Sequence, residues 1–119
     1  MVQFLSDAWL DLVAASLADA EVSGRCSVAY VVDKGPSWTI SVADGSATLV
    51  HGVAEGATVT LTMTPDTAAS VARGEASAQA AFMRGDLKIG GDVRSLIDAS
   101  PVIDQLSDAM GPVRAQTEW

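Results

Sequence analysis

Very few side chains in this sequence can do chemistry of their own. The 119 residues include one cysteine, one histidine and seven Lys and Arg against fifteen Asp and Glu. The lone Cys26 has no partner for an internal disulfide, which suits a reducing, cytoplasmic setting. No group of Cys and His offers a zinc site, so no metal is expected. His51 is the single obvious general base. It ends an apolar run before Gly52, and no G-x-S-x-G elbow exists for it to serve. Phosphate-cradling loops are missing too: GVAEG has too few glycines, and Gly90-Gly91-Asp92 lacks the lysine. No cofactor is implied, and the expectation is a protein that is not an enzyme. A net charge of −8 repels phosphate backbones and anionic membrane surfaces, which argues against nucleic acid as a partner. No apolar run reaches spanning length, so stable membrane insertion is not expected. The opening MVQFLSDAWLDL lacks the basic region of a signal peptide, and the closing AQTEW is not a peroxisomal address.

What remains is apolar and small. Hydrophobic residues make up 49% of the chain but aromatics only 5%, so aliphatic side chains must fill the interior. A chain of this length fits one domain, residues 1–119, burying roughly two thirds of its unfolded surface.

Periodicity places the elements. Ser6 caps a helix from Asp7 to about Ala20, with Trp9, Leu10, Val13 and Leu17 on one side. From Arg25 the period becomes two: Val28, Tyr30 and Val32 point one way, Ala29 and Val31 the other, as in a strand covered on both faces. Trp38, Ile40 and Val42 make a second strand, Asp44-Gly45 a hairpin turn, and Ala47 to His51 a third strand. After the loop GVAEGA, Val59, Leu61 and Met63 alternate with threonines in a fourth strand. Thr64-Pro65 starts a helix that Arg73-Gly74 ends, and Ser77 starts a shorter one that Arg84-Gly85 ends. Arg84-Gly85-Asp86 spells an adhesion tripeptide but reads as that helix stop followed by a strand start. Leu87 and Ile89 form a fifth strand closed by Gly90-Gly91. Asp92 caps a helix carrying Val93, Leu96 and Ile97. Pro101 is expected to interrupt it, and Ile103, Leu106 and Met110 continue the spacing to Gly111-Pro112. Four meandering strands and a fifth reached through helices imply an α+β domain: a five-stranded, mostly antiparallel sheet with helices on one face.

The run ARGEASAQAAFMRGDLKIGGD, Ala72 to Asp92, resembles the signature of the sterol carrier protein 2 family. The matching residues are Ser77, Ala81-Phe82, Gly85, Leu87-Lys88-Ile89, Gly91 and Asp92. The stretches TLTMTPDTAASVARGE and DGSATLV fit the same family, and the likeness extends over nearly the whole chain. The resemblance implies a domain that binds or transfers sterols, fatty acyl chains or related lipids without chemistry. Its tunnel would lie between sheet and helices, with the C-terminal helical region as one wall. The acidity departs from the often basic animal members, which bears on membrane docking and transfer.

A hydrophobic ligand is recognised by apolar area. Each buried methylene contributes about 0.8 kcal/mol, so a long acyl chain brings on the order of 10 kcal/mol before association costs. The expected cavity wall is Tyr30, Trp38, Ile40, Met63, Phe82, Met83, Leu96, Ile97, Ile103, Leu106 and Met110, with the Tyr30 hydroxyl as its polar group. Phe82 and Met83, at the last turn of a helix one glycine before a strand, are expected to point between helices and sheet. The alternative is the same fold with a filled core, used as an interaction or dimerisation module, and a homodimer stays open.

Overall fold

The computed structural model describes residues 2–53, 56–90 and 93–119, without the side chains of Ala78, Val93, Ser95, Leu96 and Ser107. Its elements are β1 (Val2–Gln3), α1 (Asp7–Ala18), β2 (Cys26–Val32), β3 (Ser37–Ala43), β4 (Ser46–His51) and β5 (Val59–Met63). There follow α2 (Pro65–Ala72), α3 (Ala78–Met83), β6 (Leu87–Gly90), α4 (Val93–Ala109), α5 (Gly111–Ala115) and β7 (Thr117–Glu118).

The helix starts follow from short polar side chains that satisfy otherwise unpaired backbone N–H groups. Ser6 accepts from the Trp9 N–H at 3.1 Å, Thr64 from Thr67 at 3.3 Å, and Ser77 from Ala80 at 3.0 Å. Asp92, the expected cap of α4, and Gly91 lie outside the described residues.

The sheet is five-stranded, in the order β4-β3-β2-β5-β6. Its pairs are antiparallel except β2 with β5, which run parallel. The fourth large strand therefore does not extend a meander. β4 already ends the sheet, and the segment from Gly52 to Thr58 carries the chain back to the free edge of β2. β4 runs in the direction of β2, and β5, re-entering the sheet on the other side of β2, keeps that direction.

Register puts one set of side chains on the helix side. Val28 pairs with Ile40 and Val59, Tyr30 with Trp38 and Leu61, and Val32 with Met63. The opposite face carries Ser27, Ala29, Thr39, Ser41, Thr60 and Thr62 together with Val31 and Val50, so it is mostly polar or small. Ala29 and Thr39 are nonetheless fully buried there. Their cover is local: Ala29 sits between paired Thr39 and Thr60, and Thr39 donates its hydroxyl to the Gly52 carbonyl at 2.9 Å. The two-faced apolar alternation of β2 thus reflects one core face and one small-residue face.

Helix α1 buries Trp9, Leu10, Val13 and Leu17 in the core. Ala99, Val102 and Leu106 of α4 are buried in the same cluster. Gly24, with φ +106°, lets α4 approach: a Cβ there would lie 2.8 Å from Val102 Cγ2. Pro101 does not interrupt α4, which runs through it. Pro101 is exposed, so water can reach the backbone where its missing N–H breaks the ladder. The helical spacing also continues past Gly111-Pro112 into α5. Beyond it, β7 pairs in parallel with β1, so the two ends of the described chain lie together.

Candidate ligand-binding cavity

An apolar, partly open space lies between the helix side of the sheet and the helices. Its floor is Tyr30 and Trp38 with Ile40 and Met63, side chains that alternation and register bring to one face of three strands. Trp9, Val13 and Leu17 of α1 form one wall, and Ala68, Val71 and Ala72 of α2 another. Ile103 and Leu106 of α4, Met110 and Arg114 close it, with Phe4 from the turn before α1. Its volume is about 80 Å³.

Aromatic residues are concentrated here. The chain has three Trp, two Phe and one Tyr, and all but Phe82 join one chain of ring contacts. Tyr30 stacks on Trp38 with centroids 5.3 Å apart, and Trp38 meets Trp9 edge-on at 5.6 Å. Trp9 meets Phe4 edge-on at 4.9 Å, and Phe4 contacts Trp119 at 4.8 Å. At the outer end, the Arg73 guanidinium sits 5.0 Å from the centre of a Trp119 ring. Such ring pairs add specific geometry to area burial and hold the wall in shape.

Polar groups at the cavity are few. Tyr30 is half-buried overall, but packing around its hydroxyl pushes the phenol well above its ordinary range, and the charge of a Cys26 thiolate adds to this. Burial also raises the half-buried Cys26. Arg114 donates from Nε to the Ala72 carbonyl at 2.7 Å, tying α5 to the end of α2. Gly74 has a positive φ of +79° and lies beside that guanidinium, 3.6 Å from where its Cβ would be. Among the described residues no acidic side chain lines the space. Among the described residues there is no group of three or more His, Cys, Asp or Glu suited to a metal ion. His51 is exposed at the end of edge strand β4 and is not part of the wall.

Seven of the expected wall residues line this space: Tyr30, Trp38, Ile40, Met63, Ile103, Leu106 and Met110. Phe82, Met83 and Ile97 do not. Helix geometry gives the reason. Ala81 is the inward residue of α3, fully buried, and Met83, two positions on, lies about 200° around the helix. Met83 is 77% exposed, and Phe82 is half-buried against the core from the flank. Ile97 stands in the same relation to buried Ala99 in α4 and is 53% exposed. The Leu96 side chain lies outside the described residues.

Phe4, the α1 stripe, the α2 residues and Arg114 are the wall members that periodicity did not bring forward. The α1 stripe is visible in sequence as an apolar helix face. That it meets Trp38 follows only from how α1 lies across the sheet. The small residues of α2 leave room at the wall and carry no sequence signal of that use.

The family model of the SCP-2 sterol transfer family matches residues 9–104. No curated protein matches the chain significantly. Among solved structures, a conserved protein of Thermus thermophilus, described as a candidate sterol carrier protein, is 21% identical with a TM-score of 0.71. The match covers 95% of this chain and 91% of that one. A crystal structure of sterol carrier protein 2 is 20% identical with a TM-score of 0.66, covering 93% and 97%. The sec-alkylsulfatase Pisa1 from Pseudomonas sp. is 24% identical with a TM-score of 0.60, over 81% of this chain. That match spans only 16% of the sulfatase, so the likeness is to one part of a much longer protein. At these identities the structures share the fold.

Proposed function

The chain belongs to the SCP-2 sterol transfer family, and from that premise we propose that it binds a hydrophobic ligand such as a sterol, fatty acid or acyl-CoA. The site is the cavity between sheet and helices, and residues 1–119 act as one lipid-binding domain without catalysing a reaction. The observation that carries this reading is the apolar cavity itself. Tightly packed interiors rarely leave a void larger than a water molecule, yet the chain gathers its aromatics around one. The lone Cys26 fits a cytoplasmic setting.

The present space is smaller than the roughly 150 Å³ of an apolar cavity that holds benzene. A lipid therefore has to push the wall apart. Half-buried Ile103 and Met110, at the C-terminal end of the helical layer, are the residues that yield most readily. Methionine adapts to an irregular guest, and segments with fewer contacts open at low cost. Titration with a fluorescent fatty acyl probe, followed by mass spectrometry of lipids extracted from the purified protein, tests this. Saturable one-to-one binding is the expected result.

The small volume favours a second reading, the same fold packed shut and used as an interaction module. That reading takes over if the protein binds no acyl or sterol probe and elutes as a dimer.

A further inference from the structure

Trp9 Nε1 is a buried hydrogen-bond donor with no acceptor within reach among the described residues. Trp9 is 2% exposed, so bulk water does not replace the missing partner. The buried hydroxyls are paired: Thr39 donates to the Gly52 carbonyl and Thr117 to that of Val113. A buried donor left without an acceptor costs free energy, and native interiors almost always provide one. The indole is also held in place, steeply inclined to both the Phe4 and Trp38 rings at interplanar angles of 81° and 73°. It lines the cavity.

We propose that the Trp9 indole N–H is the polar anchor of the cavity and donates a hydrogen bond to an oxygen atom of the bound ligand. The proposal rests on the lipid-binding reading above and deepens it by naming the residue that holds the ligand's polar end. The occupant is an amphipath with an accepting oxygen, such as a carboxylate, a carbonyl or a hydroxyl, rather than a bare hydrocarbon. The wall is suited to such a group. Among the described lining residues the polar side chains, Trp9, Tyr30, Trp38 and Arg114, all carry donors, and Arg114 is the one that is charged. Because Trp9 belongs to α1 and meets Trp38 at the floor, the ligand's oxygen is held against α1 and its apolar part extends along Ile40, Met63 and Leu106.

The test compares two probes on the parent and on Trp9→Phe, which keeps a ring and removes the N–H. One is an eighteen-carbon polyene carboxylic acid, the other diphenylhexatriene, a hydrocarbon. Trp9→Phe should weaken the acid about tenfold more than it weakens the hydrocarbon, a difference of roughly 1.4 kcal/mol. Equal loss of both probes, or loss of neither, overturns the anchor while the cavity reading stands. If neither probe binds the parent, the cavity reading falls and the anchor with it. Should Trp9→Phe not fold, the parent decides. Its Trp9 indole ¹H–¹⁵N resonance, identified by removing Trp38 and Trp119 in turn, should move downfield with stearic acid and not with octadecene. An unmoved resonance with the acid bound overturns the proposal.

Discussion

Tyr30 and Trp38 occupy directly paired positions on β2 and β3, and their rings stack with centroids 5.3 Å apart and 14° between planes. Antiparallel pairing brings such side chains to one face at close range. The stack covers the phenol body, and burial holds the hydroxyl proton more tightly than water would.

That shift makes a stability prediction with a definite sign. The folded-state pKa of Tyr30 lies above its unfolded value of about 10. Above that pH the unfolded chain loses its phenol proton while the folded chain keeps it. The folded state then binds more protons, so stability falls as pH rises from about 10 upward. Tyr30→Phe should flatten that alkaline decline in denaturant midpoint. Tyr30 is the only tyrosine, so phenolate absorbance reads it alone. Absorbance rising with an ordinary midpoint while the fold persists would contradict the burial argument.

Gly24 predicts a steep local cost. Its φ of +106° disfavours any side chain, and an added Cβ would meet Val102 Cγ2 at 2.8 Å. Gly24→Ala should destabilise by about 2 kcal/mol or more, through backbone strain plus overpacking. Gly45→Ala, with a positive φ but open space around it, should cost about 1 kcal/mol. Urea midpoints compare the two. Trimming Val102 to Ala in the Gly24→Ala background should make the second change cost less than it does in the parent, and strict additivity would argue against the contact.

The boundary of the cavity is equally testable. Met83 is 77% exposed and outside the wall. Met83→Ser should leave stability within about 0.5 kcal/mol and acyl-probe affinity unchanged. A marked loss of affinity would place α3 at the ligand after all.

These residues show what could be read without coordinates. Caps, turns and the alternation of β2, β3 and β5 are local features, so Ser6, Thr64, Ser77 and the floor residues Tyr30, Trp38, Ile40 and Met63 were legible. The parallel entry of β5 was not, because pairing across thirty residues leaves no local mark. Nor was the place of α1 over Trp38, which depends on how layers dock. Met83 differs: its outward direction was available from its angle to Ala81, but closeness to a strand in sequence suggested the opposite. Pro101 was read for its effect on an ideal helix, whereas an exposed position lets α4 pass through it.

Met110 offers the sharpest separation of binding from folding. It is half-buried, lines the cavity, and stands between α4 and α5 at the C-terminal end of the wall. Leu61, by contrast, is fully buried in β5, between β2 and β6. A carboxylate at Met110 can turn toward water while removing apolar wall from the cavity. A carboxylate at Leu61 has no such exit and carries its desolvation cost into the folded state. Met110→Asp should therefore weaken a fluorescent acyl probe by tenfold or more, roughly 1.4 kcal/mol, with a modest drop in denaturant midpoint. Leu61→Asp should lower the midpoint far more, or prevent folding. Probe titration and denaturation of both variants separate the two effects. If Met110→Asp binds the probe like the parent, the ligand does not touch the end of α4, and the wall that yields to it must be sought at α2.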